Sequence, residues 1–111
     1  MRDHTRDYCT AAFRFYACIC KDIIECQDET DSKDIVAAEK ALDELERKCG
    51  RHAIQAVKIV YFTDCDKALR KGDIDMRVHK ASINIPASES TIYRWLQQAR
   101  YIFAKHRKLR L

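Results

Sequence analysis

The residue types with the most specific chemistry in this chain occur between residues 85 and 100, in the run Ile-Pro-Ala-Ser-Glu-Ser-Thr-Ile-Tyr-Arg-Trp-Leu-Gln-Gln-Ala-Arg. Arginine forms two hydrogen bonds with the edge of guanine, and glutamine forms two with the edge of adenine. Hydroxyl, guanidinium and amide groups on one exposed helix face could therefore read bases in a DNA major groove. No other part of the sequence offers so specific a set of side chains.

A helix from about residue 88 to residue 107 would present these side chains together. Ser88 is suited to be its N-cap, because a serine hydroxyl can accept a hydrogen bond from a free amide of the first turn. At 100° per residue, an apolar stripe flanked by Trp95 and Ile102 is predicted to face the core. The stripe comprises Ile92, Leu96, Ala99 and Phe103. The opposite face carries Ser90, Arg94, Gln97 and Tyr101, with Lys105 and Lys108 further along.

The predicted site follows from how recognition helices meet DNA. They contact bases with their N-terminal part, while the far end of the helix meets the backbone. The basic end from Lys105 to Arg110, with His106 and Arg107, suits phosphates, which attract cations without regard to sequence. The predicted DNA-binding residues are Ser88, Ser90, Thr91, Tyr93, Arg94, Gln97, Gln98, Tyr101, Lys105 and Lys108.

A competing hypothesis uses the same helix to bind a protein. Any amphipathic surface helix exposes arginine and glutamine, and Tyr93, Trp95 and Tyr101 could contact a partner instead of DNA. The chain would then be an adaptor of the polymerase-binding or anti-repressor kind.

Composition predicts the elements that must position this helix. The chain has 111 residues, enough for one domain, and only two glycines and one proline, so an all-α fold of about five helices is expected. The net charge of +4 is uneven. Residues 1–50 hold 8 basic and 12 acidic side chains, and residues 51–111 hold 13 and 5. A polyanionic partner would therefore meet the C-terminal half.

Apolar periodicity and capping residues predict where the other helices lie. Four helices are expected at about residues 6–26, 33–48, 51–69 and 74–82. Thr30, Asp31 or Ser32 should cap the second, and Gly50 should end it. Gly72 should end the third, although its β-prone residues 60–63 favour a break near Thr63, and Asp73 should cap the fourth.

The last two predicted helices flank a short turn at residues 83–87, where Pro86 disfavours helical angles at Ile85. The run from Ser88 to Leu96, followed by Ala99-Arg100 and Phe103-Ala104, resembles the helix-turn-helix of phage-type transcriptional regulators of the ArpU kind. It is also similar to the −35-reading region 4 of sigma-70-type factors. The resemblance covers about 40 to 60 residues at the C-terminal end of the chain.

The resemblance implies sequence-specific binding of double-stranded DNA in transcriptional control. RNA polymerase is a further candidate partner, as in the adaptor hypothesis, although the chain lacks the other core-polymerase-binding regions of a complete sigma factor. The resemblance places Ser90, Thr91, Tyr93, Arg94 and Gln97 near the bases or their flanking phosphates. It does not extend to residues 1–50, which are predicted to be a separate helical region beside a helix-turn-helix region at 51–111. That first region could complete the core or form a homodimer, since dimers read two half-sites.

The remaining residues indicate neither an enzyme nor a cofactor. No catalytic arrangement of Ser, His, Asp or Cys follows from their spacing, and there is no glycine-rich phosphate loop. The six cysteines are expected to be reduced, mostly as small core side chains. A zinc site is the alternative, with ligands drawn from Cys9, Cys20, Cys26, Cys49 and His52.

The sequence also bears on where the protein resides. No run of about 18 apolar residues is present, so no membrane span is expected. The charged first residues lead into no signal-peptide core, which favours a cytoplasmic protein.

Overall fold

A computed structural model describes residues 4–109, and within that range it contains five α-helices and no β-strand. The helices are α1 (His4–Cys20), α2 (Glu29–Cys49), α3 (Arg51–Val57), α4 (Asp73–Asn84) and α5 (Glu89–Arg107). A π-helical turn, Lys58–Phe62, continues α3 directly. The predicted all-α class is therefore confirmed.

Helix α1 ends at Cys20, so the prediction that it reaches residue 26 was wrong. Asp22 adopts a left-handed conformation, with φ 57°. The Ile23 amide then donates to the Cys18 carbonyl at 2.9 Å, and the Asp22 amide donates to the Ile19 carbonyl at 3.1 Å. These two bonds form a Schellman motif, which ends a helix. Ile23, which follows the end of the helix, is 45% exposed.

Helix α2 begins earlier than predicted, and its capping residue is Asp28 rather than Thr30, Asp31 or Ser32. The Asp28 carboxylate accepts a hydrogen bond from the Asp31 amide at 2.9 Å. The other end was predicted correctly: Gly50 follows the last helical residue with φ 89°, a conformation that favours glycine. The buried face of α2 consists of Asp34, Ala37, Ala38, Ala41 and Leu45.

The third helix was predicted to reach residue 69, but its π-helical turn ends at Phe62. Thr63 leaves it in an extended conformation, with φ −67° and ψ 130°, so the predicted break near Thr63 is confirmed. Gly72 therefore does not end this helix. With φ 86° Gly72 is instead the N-cap of α4, so the prediction that Asp73 caps this helix was wrong; Asp73 is its first residue.

Cations from other parts of the chain bind carbonyls at the end of the π-helical turn Lys58–Phe62 and just after it. The last carbonyls of a helix lack helical partners and form the negative end of its dipole. Arg77 of α4 donates to the Val60 carbonyl at 3.0 Å, and Lys21 donates to the Phe62 carbonyl at 2.7 Å. Arg14 of α1 donates to four carbonyls, those of Tyr61, Thr63, Asp64 and Lys67. We call these three cations and their acceptors the carbonyl clamp.

Arg14 is the buried member of the carbonyl clamp, with 6% of its surface exposed. Burial lowers its pKa from the ordinary value, yet arginine stays protonated at any pH of interest. Four carbonyl oxygens replace the water that the guanidinium loses, which satisfies a group that is costly to bury unpaired.

One hydrophobic core joins all five helices. Phe13 of α1 lies at its centre, where its ring stacks on Tyr61 at 5.8 Å and tilts against Phe103 at 5.5 Å. Leu45 and Val78 bring α2 and α4 to the same cluster. The main packing partner of α5 is α2. Within residues 4–109 no helix is both long and apolar enough to cross a membrane.

Candidate nucleic-acid interface

The candidate interface is built on α5 and the turn before it. Ile85 is extended, with φ −127° and ψ 141°, as expected of a residue that precedes proline. Ser88 is the N-cap of α5, as predicted, and its hydroxyl oxygen accepts from the Thr91 amide at 3.2 Å. Only residues 85–88 separate α4 from α5, so the two helices follow each other closely.

The buried stripe of α5 matches its prediction. Its members are each no more than 1% exposed, and Trp95 is partly buried beside them. They are Ile92, Leu96, Ala99 and Phe103, and the flanking Ile102 is equally buried. Because this stripe fixes the rotation of the helix, the polar side chains opposite to it must face outward.

Five predicted contact residues share that outward face. Ser90, Arg94, Gln97 and Gln98 are exposed, and Tyr101 is 51% exposed. Within residues 4–109 the Arg94 guanidinium has no hydrogen-bond or ion-pair partner. All five N–H donors of Arg94 are therefore available to a ligand.

Three other predicted residues at the start of α5 already have side-chain partners. The Tyr93 hydroxyl donates to the Asp75 carboxylate of α4, and this bond raises its pKa to about 12. The Thr91 and Ser88 hydroxyls lie 3.0 Å apart and share a hydrogen bond. A carboxylate beside Tyr93 adds negative charge where a phosphate would approach.

Most of the predicted basic end of α5 is paired with carboxylates of α2. The Lys105 ammonium lies 3.2 Å from Glu44, and His106 lies 3.5 Å from the same carboxylate. The Arg107 guanidinium lies 2.7 Å from Asp34. Lys108 is exposed and, among the described residues, has no ion-pair partner, while Arg110 lies outside the described range.

The pairing of these two carboxylates with the basic end of α5 was not predicted from the sequence. Glu44 and Asp34 precede their cationic partners by 61 and 73 residues. One signal was present: Asp34 falls on the apolar face of α2, four residues before Ala38 and seven before Ala41. A carboxylate in that position is usually paired with a cation from a facing helix.

The alternative zinc ligands do not come together. No three His, Cys, Asp or Glu side chains converge on a metal-sized space in the described part of the chain. The closest cysteine pair is instead Cys18 and Cys65, whose sulfur atoms lie 3.0 Å apart in a buried cluster. Burial raises the pKa of Cys18 to about 11, which favours the thiol over the thiolate.

No protein family, curated protein or solved structure matches this chain significantly. The resemblance to helix-turn-helix regulators therefore rests on residues 88–104.

Proposed function

We propose that this protein binds double-stranded DNA sequence-specifically and acts in transcriptional regulation, in the manner of phage-type regulators. The observation that carries the proposal is the unpaired guanidinium of Arg94, one helical turn from Gln97 on the exposed face of α5. Helix α4, the turn at 85–88 and α5 would together act as the helix-turn-helix.

In this proposal the recognition helix, about residues 88–107, enters the major groove. Arg94 and Gln97 would each make two hydrogen bonds to a base edge, and each such pair discriminates against a wrong base by about 1–3 kcal/mol. Ser88 and Ser90 flank the N-terminus of α5, where free amides and the helix dipole favour an approaching phosphate.

The internal ion pairs restrict which cations can bind phosphate. Lys105 would have to break its ion pair with Glu44 to reach DNA, so its net contribution to the free energy of binding would be small. Lys108 is free to bind, and exposed Lys80 lies on α4, the helix that crosses the backbone in this arrangement. We therefore assign the phosphate contacts to Lys108 and Lys80 rather than to the whole basic end.

The experiment that tests the proposal is fluorescence anisotropy of a labelled random duplex, titrated with the protein at about 50 and about 200 mM salt. Affinity should fall steeply with salt, because every neutralised phosphate releases counterions. Selection from a random duplex library should then yield a consensus site. If no duplex binds at the lower salt concentration, DNA binding is excluded.

A protein-interaction adaptor is the second candidate, and exposed apolar surface favours it. Met76 and Ile83 of α4 are 64% and 72% exposed, and Tyr93 and Tyr101 of α5 are 39% and 51% exposed. Such a surface fits a protein partner such as RNA polymerase or a second copy of the chain. The adaptor hypothesis expects a pull-down of polymerase that Tyr101→Ala weakens, with no duplex binding.

A further inference from the structure

A cleft of about 570 Å³ lies between α1, the segment 67–69, α4 and α5. Its size is typical of small-molecule sites, which range from about 300 to about 1,000 Å³. It opens on the side of α5 that carries Tyr93, Leu96 and Arg100, whereas Arg94 and Gln97 do not line it. The cleft is therefore distinct from the proposed base-reading face.

The charge that surrounds the cleft is positive. Four cationic side chains line it, against the two carboxylates of Asp7 and Asp75. The cations are Arg6, Arg14, Lys67 and Arg100. The Arg14 guanidinium already donates to the acceptors of the carbonyl clamp, so it contributes only its positive charge to the cleft. The Asp75 carboxylate accepts a hydrogen bond from the Tyr93 hydroxyl.

Two hydrogen-bond donors converge in this cleft. The Arg100 guanidinium donates one N–H to the Tyr61 hydroxyl oxygen at 2.8 Å and is itself half-buried. Tyr61 is 1% exposed, and among the described residues its own hydroxyl proton has no acceptor. A guanidinium N–H and a tyrosine O–H at this separation suit two oxygens of one acid group.

Most of the remaining lining is apolar and indicates what the acid group is attached to. Leu69 and Ile74, both partly exposed, contribute aliphatic surface beside the two donors. We propose that the cleft binds a small organic anion, with its carboxylate or phosphate at Arg100 and Tyr61 and a short apolar body against the side chains of Leu69 and Ile74. This proposal does not depend on DNA binding.

The test uses two probes that differ in their acid group, benzoate and phenyl phosphate, and a neutral analogue of benzoate, benzamide. Each is titrated into isotopically labelled full-length protein, and backbone amide NMR shifts are followed. We expect at least one anion to shift Leu69, Leu96 and Arg100 saturably with millimolar affinity, as for a fragment of this size. Benzamide should bind at least tenfold more weakly than benzoate.

Two variants locate the acid group. Arg100→Gln should lower, at least tenfold, the affinity for the anion that binds. Tyr61→Phe should lower this affinity several-fold while keeping the ring that stacks on Phe13. Arg94→Gln, on the outer face of the same helix, is the matched control and should leave affinity unchanged. If Arg100→Gln does not fold, Tyr61→Phe decides.

Three results would each overturn the proposal. The first is the absence of a saturable shift with either anion up to about 20 mM, a concentration well above the expected dissociation constant. The second is equal binding of benzamide and benzoate, and the third is unchanged affinity in both variants. The preferred anion identifies the acid group. Because no duplex is present, failure here leaves the proposed DNA binding untouched.

Discussion

Arg14 and Arg94 carry the same guanidinium group in opposite surroundings. Arg14 is buried and donates hydrogen bonds to four carbonyls of this chain. Arg94 is exposed and, within residues 4–109, has no hydrogen-bond or ion-pair partner. The first therefore stabilises the fold, and the second is free for a ligand. Substituting Arg14 should therefore change the stability of the fold, and substituting Arg94 should change the binding of a ligand.

Arg94→Ala tests the base-reading role. We expect it to cost about 1–3 kcal/mol on the selected duplex and to relax the preference at one base position, because a bidentate base contact is lost. Anisotropy on the selected and random duplexes measures both effects. Arg51→Ala, an exposed arginine on α3, is the control and should change neither.

Lys108→Ala provides the contrast, because a phosphate contact carries no sequence information. It should weaken selected and random duplexes alike and lower the salt slope by about one. Equal losses on the two duplexes from Arg94→Ala would contradict its assignment to a base edge.

Arg14→Met tests the buried cation. It keeps an unbranched apolar stem but leaves carbonyls without their donor, so we expect the free energy of unfolding to fall by about 3–5 kcal/mol. Urea unfolding followed by circular dichroism measures the loss. Lys21→Met removes an exposed member of the carbonyl clamp and should cost less than about 1 kcal/mol. Similar losses in the two variants would show that burial of the cation is not what matters.

The faces of α5 could be predicted from the sequence, but the partners of its side chains could not. A period of 3.6 residues determines which side chains share a face, so the buried stripe and exposed Arg94 were found correctly. The partner of Lys105 depends on which helix packs beside α5, a contact across 61 residues of chain. Local patterns carry no information on such a distant pairing.

At the scale of elements, α2 and α5 are joined by two carboxylates as well as by apolar packing. Asp34 accepts from Arg107 and also from the Tyr8 hydroxyl of α1, so it links three helices. Glu44 accepts from Lys48 of its own helix and from Lys105 of α5. These bonds lower the pKa of Glu44 to about 2, below its ordinary value of 4.5.

This lowered pKa predicts how stability depends on pH. Glu44 holds its proton less tightly in the folded chain than in the unfolded chain. Its contribution to the free energy of unfolding is therefore complete above pH 4.5 and is lost as the pH falls toward 2. Glu44→Gln should reduce the decline of unfolding free energy over that interval. Urea titrations at a series of pH values measure it, with Glu46→Gln, exposed on the same helix, as control. A decline as steep in Glu44→Gln as in the parent chain would contradict the assignment.

Helix boundaries were predictable where a specific residue marks them. Gly50 and Ser88 were identified correctly because glycine tolerates a positive φ and serine caps a first turn. The end of α1 was missed because Asp22, not a glycine, takes the left-handed conformation. Aspartate adopts it less often, so the sequence around it contains no clear stop signal.

At the scale of the whole molecule, the first fifty residues and the rest share one core. Phe13 and Leu45 pack in the same cluster as Val57, Leu96 and Phe103. The apolar stripe of α5 therefore has its main partner, α2, in the predicted N-terminal region. Two regions that depend on one core should unfold together.

Separating the regions tests this dependence. A fragment of residues 51–111 should lack stable helix, because α5 loses the surface of α2 against which it is buried. Far-ultraviolet circular dichroism of the fragment and of the full chain measures the difference. In the full chain, dichroism and Trp95 fluorescence should report one coincident transition. A folded fragment would show that the two regions are independent domains.

The carbonyl clamp also sets an order of events during protein synthesis. Arg14 leaves the ribosome before its four acceptors, which lie 47 to 53 residues further along the chain. Until Lys67 has emerged, the guanidinium has to stay hydrated, so α1 cannot be buried in its final place. Helix α1 is therefore synthesised well before it can dock, and a chain truncated before residue 67 would keep that surface open to chaperones.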